Sequence, residues 1–209
     1  LGHVVDDLVG PDDAPGGVRH ERERASPRVG PVGQDDGAGR GDPDCGCRDD
    51  GIDVVAMDGF TGFKTATAEE LPDAVAVMDP FHVVRLGGSA LDDCRRRVQQ
   101  AIHGHRGRAR EPLYGARLTL HTGADLLTER QTQRLDKLFA DDAHVEIEAT
   151  WSVYQRMIAA YRNPDRRHGR QLMQGVIVSL STGVPKPLIE LARLGRTLKR
   201  RAADVLAFF

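Results

Sequence analysis

The sequence predicts an α/β fold in which two parallel strands with helices precede an all-helical region. Two short apolar runs predict the strands: residues 54–57 run into Asp58, and residues 74–78 run into Asp79. Neither run alternates with polar residues, which is typical of strands buried on both faces of a parallel sheet. Residues 65–71, between the runs, have the length of a crossover helix and end before a proline.

A long helix is predicted next, from Val83 to His103. Gly87 and Gly88 are expected to loosen its first turn, because a glycine costs about 1 kcal/mol in a helix interior relative to alanine. Residues 104–116 contain three glycines and a proline, so they predict a loop.

Further helices are predicted from a capping box at Thr128–Gln131, over residues 144–162, and from Pro164 to Gly183. Residues 185–209 carry a last apolar helical face beside a basic flank. The helix over 144–162 has an apolar stripe at spacings of three and four, which indicates a core-facing side: Ile147, Trp151, Tyr154, Ile158 and Tyr161.

The composition of residues 1–50 predicts disorder. These residues include ten Gly and five Pro but no Phe, Trp, Tyr, Ile or Lys, so they bury too little apolar surface to offset the entropy of ordering. A second interpretation is genetic: the abrupt change of composition near Asp50 resembles GC-rich DNA translated out of frame.

Charge and cysteine content limit the class of protein. Residues 51–209 carry 23 Lys and Arg against 19 Asp and Glu, a mildly basic balance that is compatible with a nucleic-acid partner but does not establish one. Three cysteines predict neither a disulfide framework nor a four-ligand zinc site. No apolar run is long enough for a membrane span and no export signal is visible, so a cytoplasmic protein without membrane contact is expected.

The ends of the two predicted strands carry candidate chemistry. In an open α/β sheet the carboxyl ends of parallel strands meet at one edge, which brings Asp58 and Asp79 together. Paired carboxylates suit Mg²⁺ or Mn²⁺, and His82 adds a ligand, a base or a phosphate contact. The alternative is that Asp58 opens an Asp-Gly turn and Asp79 caps a helix.

The stretch VVAMDGFTGFKTATAEELPDAVAVMDPFHVVRLGGSALDDCRRRVQQ, which begins at Val54, resembles the middle of a DDE transposase of bacterial insertion sequences, the ISL-three type. The resemblance runs from about Gly51 to Phe209. It implies a ribonuclease-H-like domain that cuts and joins DNA strands with two divalent ions, Mg²⁺ or Mn²⁺. By position, Asp58 corresponds to the second catalytic carboxylate, and the group Asp79, Phe81 and His82 corresponds to the motif that accompanies it.

The resemblance also implies parts that this chain does not match. A first catalytic Asp is expected upstream, where Asp6 and Asp7 are the nearest candidates, and a final Glu is expected beyond Phe209. The chain is therefore expected to be cut short and catalytically incomplete. Residues 51–103 would form a partial catalytic core and residues 104–209 a helical insertion.

Basic and aromatic residues are the candidates for contact with DNA. The densest basic cluster lies around the end of the predicted long helix, and phosphate contact is its functional interpretation; a solvated helix end is the alternative. The tryptophan either stacks on an unpaired base or packs in the core. The candidates are Arg95, Arg96, Arg97, Arg106, Arg108, Trp151, Lys199 and Arg200.

Three functions follow. The first is a transposase fragment that binds transposon ends, with a homo-oligomer or a full-length transposase as a further partner. The second is a non-catalytic module that binds DNA or a transposase and inhibits it. The third is an unrelated metal-dependent nuclease that uses Asp58, Asp79 and His82.

Overall fold

The computed structural model describes residues 51–58, 61–105 and 107–209, apart from the side chains of Thr61 and Phe63. Residues 1–50, for which the composition predicts disorder, lie outside the described residues, as does Arg106, a candidate for DNA contact. The described residues belong to one compact unit, Arg48–Phe209.

Two parallel strands and a crossover helix open the described chain, as the sequence predicts. Strand β1 spans Val54–Met57, helix α1 spans Thr61–Glu70 and strand β2 spans Val75–Met78. The strands pair in parallel, with a register that runs from Val54 opposite Val75 to Met57 opposite Met78. Both strands therefore end at the same edge.

The prediction that both faces of these strands are buried is wrong. Met57, Val77 and Met78 are buried, but Val54 is 56% exposed and Val75 is 50% exposed. Helix α8 lies against β2 and α1 lies beside β1, so the described residues cover the sheet only in part. An apolar run shows that a strand can be buried; how far it is buried depends on what packs on it.

The remaining described chain is helical. Its α-helices are α2 (Pro80–His103), α3 (Pro112–Leu120), α4 (Glu129–Phe139), α5 (Val145–Arg162), α6 (Arg166–Ser181), α7 (Ile189–Arg200) and α8 (Ala202–Leu206), with single 3₁₀ turns at Ala124–Leu126 and Asp142–His144. The helices predicted for the middle of the chain are confirmed, and α4 begins at the predicted capping box, in which Thr128 and Gln131 bond each other's backbone.

Helix α2 corrects the expectation of a loosened first turn. It runs without a break from Pro80, and the side chain of Asp79 caps it by accepting a hydrogen bond from the Phe81 amide at 3.3 Å. A Cβ added at Gly87 would lie 2.9 Å from the Met157 sulfur, and one added at Gly88 would lie 3.2 Å from the His121 ring. The two glycines let α5 and the end of α3 approach α2 closely, and that contact outweighs their low helix propensity.

Two other boundaries differ from the predictions. The loop expected over 104–116 ends early, because α3 begins at Pro112, which occupies the first helical position, where its missing N–H is not needed. The segment 185–209 is divided at Arg201 into α7 and α8. Because the helix is interrupted there, α8 packs against β2.

The core consists of two apolar clusters that share α2 and α5. One cluster joins these helices to β2, α6, α7 and α8, and the other joins them to α3 and α4. Burying each of the large side chains at their centres, such as Leu91, Met157 and Leu198, contributes about 1.5–3 kcal/mol. Helix α2, which starts at the edge of the sheet, is thus held from three sides.

Candidate functional site

Asp58 and Asp79 lie side by side at the edge where the parallel strands end. They directly follow Met57 and Met78, which are opposite each other in the register. The Asp79 amide donates to the Met57 carbonyl at 2.9 Å, so the ladder continues to this point. Neighbouring strands are about 4.8 Å apart, which sets the spacing of the two backbones. Asp58 is exposed and Asp79 is half-buried.

The start of α2 shapes the surroundings of Asp79. The Asp79 side chain caps the helix, and the backbone N–H groups of the first turn favour negative charge there. His82 is half-buried in the same turn. Tyr161 of α5 is close enough to sense this carboxylate: burial, and then the charge of Asp79, raise the pKa of the Tyr161 hydroxyl above its usual value. That hydroxyl is buried and has no hydrogen-bond partner among the described residues.

The donor set at this edge fits one hard cation. Mg²⁺ commonly takes one or two carboxylates and completes its shell with water and phosphate oxygens, which matches the pair Asp58 and Asp79. Within the described ranges, no group of three or more His, Cys, Asp or Glu side chains is arranged to hold a metal ion. A two-ion site would need further carboxylates beside this pair.

Arg95, a candidate for DNA contact, points into the protein. It is 5% exposed, and its guanidinium donates to Asp92 at 2.8 and 2.9 Å and to Gln99 at 3.0 Å. These bonds satisfy the guanidinium within α2. A phosphate contact by Arg95 would break them, so the structure removes this residue from the exposed basic surface.

Arg97 is also occupied by internal partners. Its guanidinium donates to Glu190 of α7 at 2.8 Å and to Glu146 of α5 at 2.6 Å. The hydrogen bond to Glu190, with that to Glu146, raises the pKa of Arg97 well above its usual value. Burial acts to raise the pKa of Glu190, but the bond from Arg97 outweighs it and holds that pKa below its usual value. This group of three residues ties α2, α5 and α7 together.

The other basic candidates are exposed but lie on different elements. Arg96 faces solvent on α2 and pairs with Asp92 and Asp93. Arg108 lies in the segment before α3, and Lys199 and Arg200 lie in the last turn of α7. The sequence cluster is therefore split by the fold into inward-facing and outward-facing arginines.

Trp151 packs in the core that includes α4. Its ring lies 5.3 Å from the Phe139 ring, and it is partly buried in the second apolar cluster. The indole N–H is buried without a hydrogen-bond partner in the described ranges. This packing is the arrangement that the core interpretation predicts, and base stacking by Trp151 stays a prediction.

A groove beside the strand edge was not identified from the sequence. It consists of two adjoining hollows of about 280 Å³ each, which share Phe81, Val84, His121 and Tyr154 in their walls. Phe81 lies only two residues beyond Asp79. A signal was present in the sequence, because Phe81 and Arg85 have the i, i+4 spacing of one helix face. The opposite wall, which contains His121 and Tyr154, is brought there by tertiary packing and has no such local signal.

Comparison with known proteins gives one match. A family model described as a transposase, of the ISL-three type of DDE enzymes, matches residues 44–209. The match covers most of the chain and begins before Gly51, inside the segment for which an out-of-frame origin is predicted. No curated protein and no solved structure matches. None of the described helices is long and apolar enough to cross a membrane.

Proposed function

On the premise that this chain belongs to the ISL-three family of DDE transposases, we propose that it binds DNA and carries part of a catalytic site for DNA strand cleavage and transfer. The observation that supports the catalytic part most directly is the register of the sheet. It ends with Asp58 and Asp79 on adjacent parallel strands, at the edge where open α/β folds bind ligands.

The roles of the residues follow from this geometry. Asp58 and Asp79 would hold one divalent ion, Mg²⁺ or Mn²⁺, through carboxylate oxygens. When bound, such an ion stabilises charge on the attacking and leaving oxygens of a phosphodiester. His82, in the N-terminal turn of α2, would bind a phosphate oxygen beside the pair, and the positive end of the helix dipole would favour that anion.

We propose that residues 51–103 form part of a ribonuclease-H-like core and that residues 104–209 form its helical insertion. The order strand, helix, parallel strand, helix supports the first part. The packing of α5 and α7 on α2 supports the second, because it anchors the helical region to the helix that starts at the carboxylates. The exposed candidates Arg96, Arg108, Lys199 and Arg200 would contact phosphates.

The two carboxylates at the strand edge limit the expected rate of DNA cleavage. Transfer with two metal ions uses several carboxylates, and those further ligands would have to come from residues outside the described ranges or from another chain. We therefore expect DNA binding to be strong relative to cleavage. A homo-oligomer, or a complex with a full-length transposase, would be the arrangement that supplies them.

Two measurements on the full chain test the proposal. Binding to a fluorescent DNA duplex should weaken steeply between about 50 and 200 mM salt, because contacts to phosphate release counterions. Replacing Lys199 and Arg200 with Ala should reduce the slope of log affinity against log salt by about 2. A slope unchanged from the parent chain would show that these two residues do not contact DNA.

Cleavage of a supercoiled plasmid should require Mg²⁺ or Mn²⁺ and should be lost in Asp58→Asn. Asp73→Asn is the matched control, since Asp73 is exposed in the turn before β2, at the opposite end of the sheet. Equal activity of both variants would exclude the strand edge as the catalytic site. Binding without any metal-dependent cleavage would favour the non-catalytic module instead.

A further inference from the structure

The groove beside the strand edge has the walls of a site for an aromatic ring. On one side, α2 presents Phe81, whose side chain is 74% exposed. On the other side, the exposed His121 ring meets Tyr154 edge-on, with 5.8 Å between ring centroids, and the Tyr154 hydroxyl donates to the His121 carbonyl at 3.3 Å. The hydrogen bond and the ring contact hold this wall of the groove in place. Exposed apolar rings that lie together around one hollow, unlike a single exposed ring, mark a candidate binding site.

The absence of a side chain at Gly88 keeps the floor of the groove open. A Cβ there would lie 3.2 Å from Nδ1 of His121 and 3.5 Å from the Tyr154 ring. Each of the two hollows, at about 280 Å³, is near the lower limit of about 300 Å³ for small-ligand pockets. The space suits a planar group lying against the rings rather than a bulky ligand.

The charges around the groove favour an anion. Arg85 lines it and makes no hydrogen bond or ion pair with any described residue. Of the acidic neighbours, Asp92 is bonded to Arg95 and Arg96, and Asp125 is bonded to Arg162, which also lines the groove. The carboxylates of Asp92 and Asp125 are thus neutralised by their own partners. Asp79 lies at the strand-edge end of the groove, where its charge reaches Tyr161. Arg85, one turn further along α2 than Phe81, is left to pair with an anionic ligand.

The groove leads away from the carboxylates. Phe81, Arg85 and Ser89 follow one another at i, i+4 spacing on the solvent side of α2, about 6 Å apart. The row starts two residues from Asp79. A DNA strand that ran from the carboxylates along this row would meet first the Phe81 ring and then the Arg85 guanidinium.

We propose that this groove binds unpaired DNA nucleotides next to the carboxylate edge, with a base stacked on Phe81 and its phosphate paired with Arg85. The proposal rests on the proposed DNA-binding function and names a part of its substrate, a single-stranded segment. A base within a duplex is stacked on its neighbours, so only an unpaired base presents its face to Phe81 and His121. Stacking on an aromatic side chain tolerates any base, because every base has a π face.

The test compares two DNA ligands on the full-length chain by fluorescence anisotropy. One is a blunt duplex, and the other is the same duplex with a six-thymine overhang. Phe81→Ala should weaken binding of the overhang ligand about 5- to 150-fold, the range for loss of one stacked base. Binding of the blunt duplex should change less than about twofold. Phe81→Trp should restore the overhang affinity, since it restores a ring.

The matched control is Leu118→Ala, because Leu118 is equally exposed, at 74%, and does not line the groove. Arg85→Ala should weaken binding of the overhang ligand and reduce the slope of log affinity against log salt by about 1. Its affinity for the blunt duplex should stay unchanged. A 2-aminopurine placed in the overhang should lose fluorescence on binding to the parent chain and regain it in Phe81→Ala.

The outcomes separate this inference from the proposed function. If blunt and overhang ligands bind equally and Phe81→Ala affects neither, the groove does not bind unpaired DNA, although DNA binding itself stands. If Phe81→Ala instead changes the sedimentation coefficient of the protein without changing DNA affinity, the groove is a protein interface and the inference is wrong. If neither ligand binds at all, both proposals fail.

Discussion

Replacing Arg97 with Ala should destabilise the helical unit more than any other single change in the arginine cluster. The Arg97 side chain bonds α2 to both α5 and α7. Its guanidinium also donates to the Pro187 carbonyl at 3.1 Å, which fixes the chain just before α7. The substitution removes all of these bonds together.

The magnitude follows from the burial of Glu190. Its side chain is 5% exposed, so without Arg97 a carboxylate would remain in the interior with its main partner gone. Breaking a buried pair in this way costs about 3–5 kcal/mol. Because the Arg97 side chain is 33% exposed, water reaches the site and reduces that cost, so we expect about 2–4 kcal/mol.

Arg96→Ala is the control within the same helical turn. Arg96 is 55% exposed and pairs with aspartates three and four residues away, an arrangement that contributes at most about 0.5 kcal/mol. Both variants should be unfolded in urea and followed by the fluorescence of Trp151 and by circular dichroism. A loss in Arg97→Ala no larger than in Arg96→Ala would refute the reasoning.

Two other predictions concern stability. Gly195→Ala should destabilise the protein by about 1–3 kcal/mol, because its Cβ would lie 2.5 Å from the Leu180 carbonyl oxygen. Gly175→Ala, also within a helix but with no atom within 4 Å of the new Cβ, should stabilise it by about 0.5–1 kcal/mol in the same urea titration; loss of stability in both would contradict this account. The pair of Glu190 with Arg97 should also make stability depend on pH. The pKa of Glu190 is lowered in the folded protein, so its contribution is complete above the unfolded value of about 4.3 and is lost as pH falls through the folded pKa. Urea midpoints from pH 7 to pH 3 should therefore fall more steeply in the parent chain than in Glu190→Gln, and equal slopes would show that another carboxylate dominates.

Local signals account for the elements that could be predicted. Short apolar runs ending in Asp58 and Asp79 predicted two parallel strands with a common edge, because strands joined by a crossover helix run in the same direction. The capping box at Thr128 and Gln131 predicted the start of α4, because both hydrogen bonds lie within four residues. The family itself was recognisable from the same stretch of sequence, and the family match confirms it.

The elements that were mispredicted depend on distant neighbours. The glycines of α2 predicted a loose first turn because of their low helix propensity, but they provide the space in which α5 packs against α2. The strands looked suited to burial on both faces, but the described residues that pack on them leave Val54 and Val75 exposed. In each case the local preference was real, and tertiary packing decided the outcome.

The sequence by itself determined the family, the paired strands and the helix boundaries set by caps, since these depend on residues close together in the chain. Only the tertiary structure decided which arginines face inward. Arg95, Arg96 and Arg97 are consecutive, and helical geometry points them about 100° apart, so each meets a different environment. Arg97 finds two glutamates, Arg95 is buried within α2, and Arg96 stays in solvent. The groove behind Phe81 is likewise a product of packing, because its second wall comes from α3 and α5, whose distance from α2 is set by the fold and not by the sequence between them.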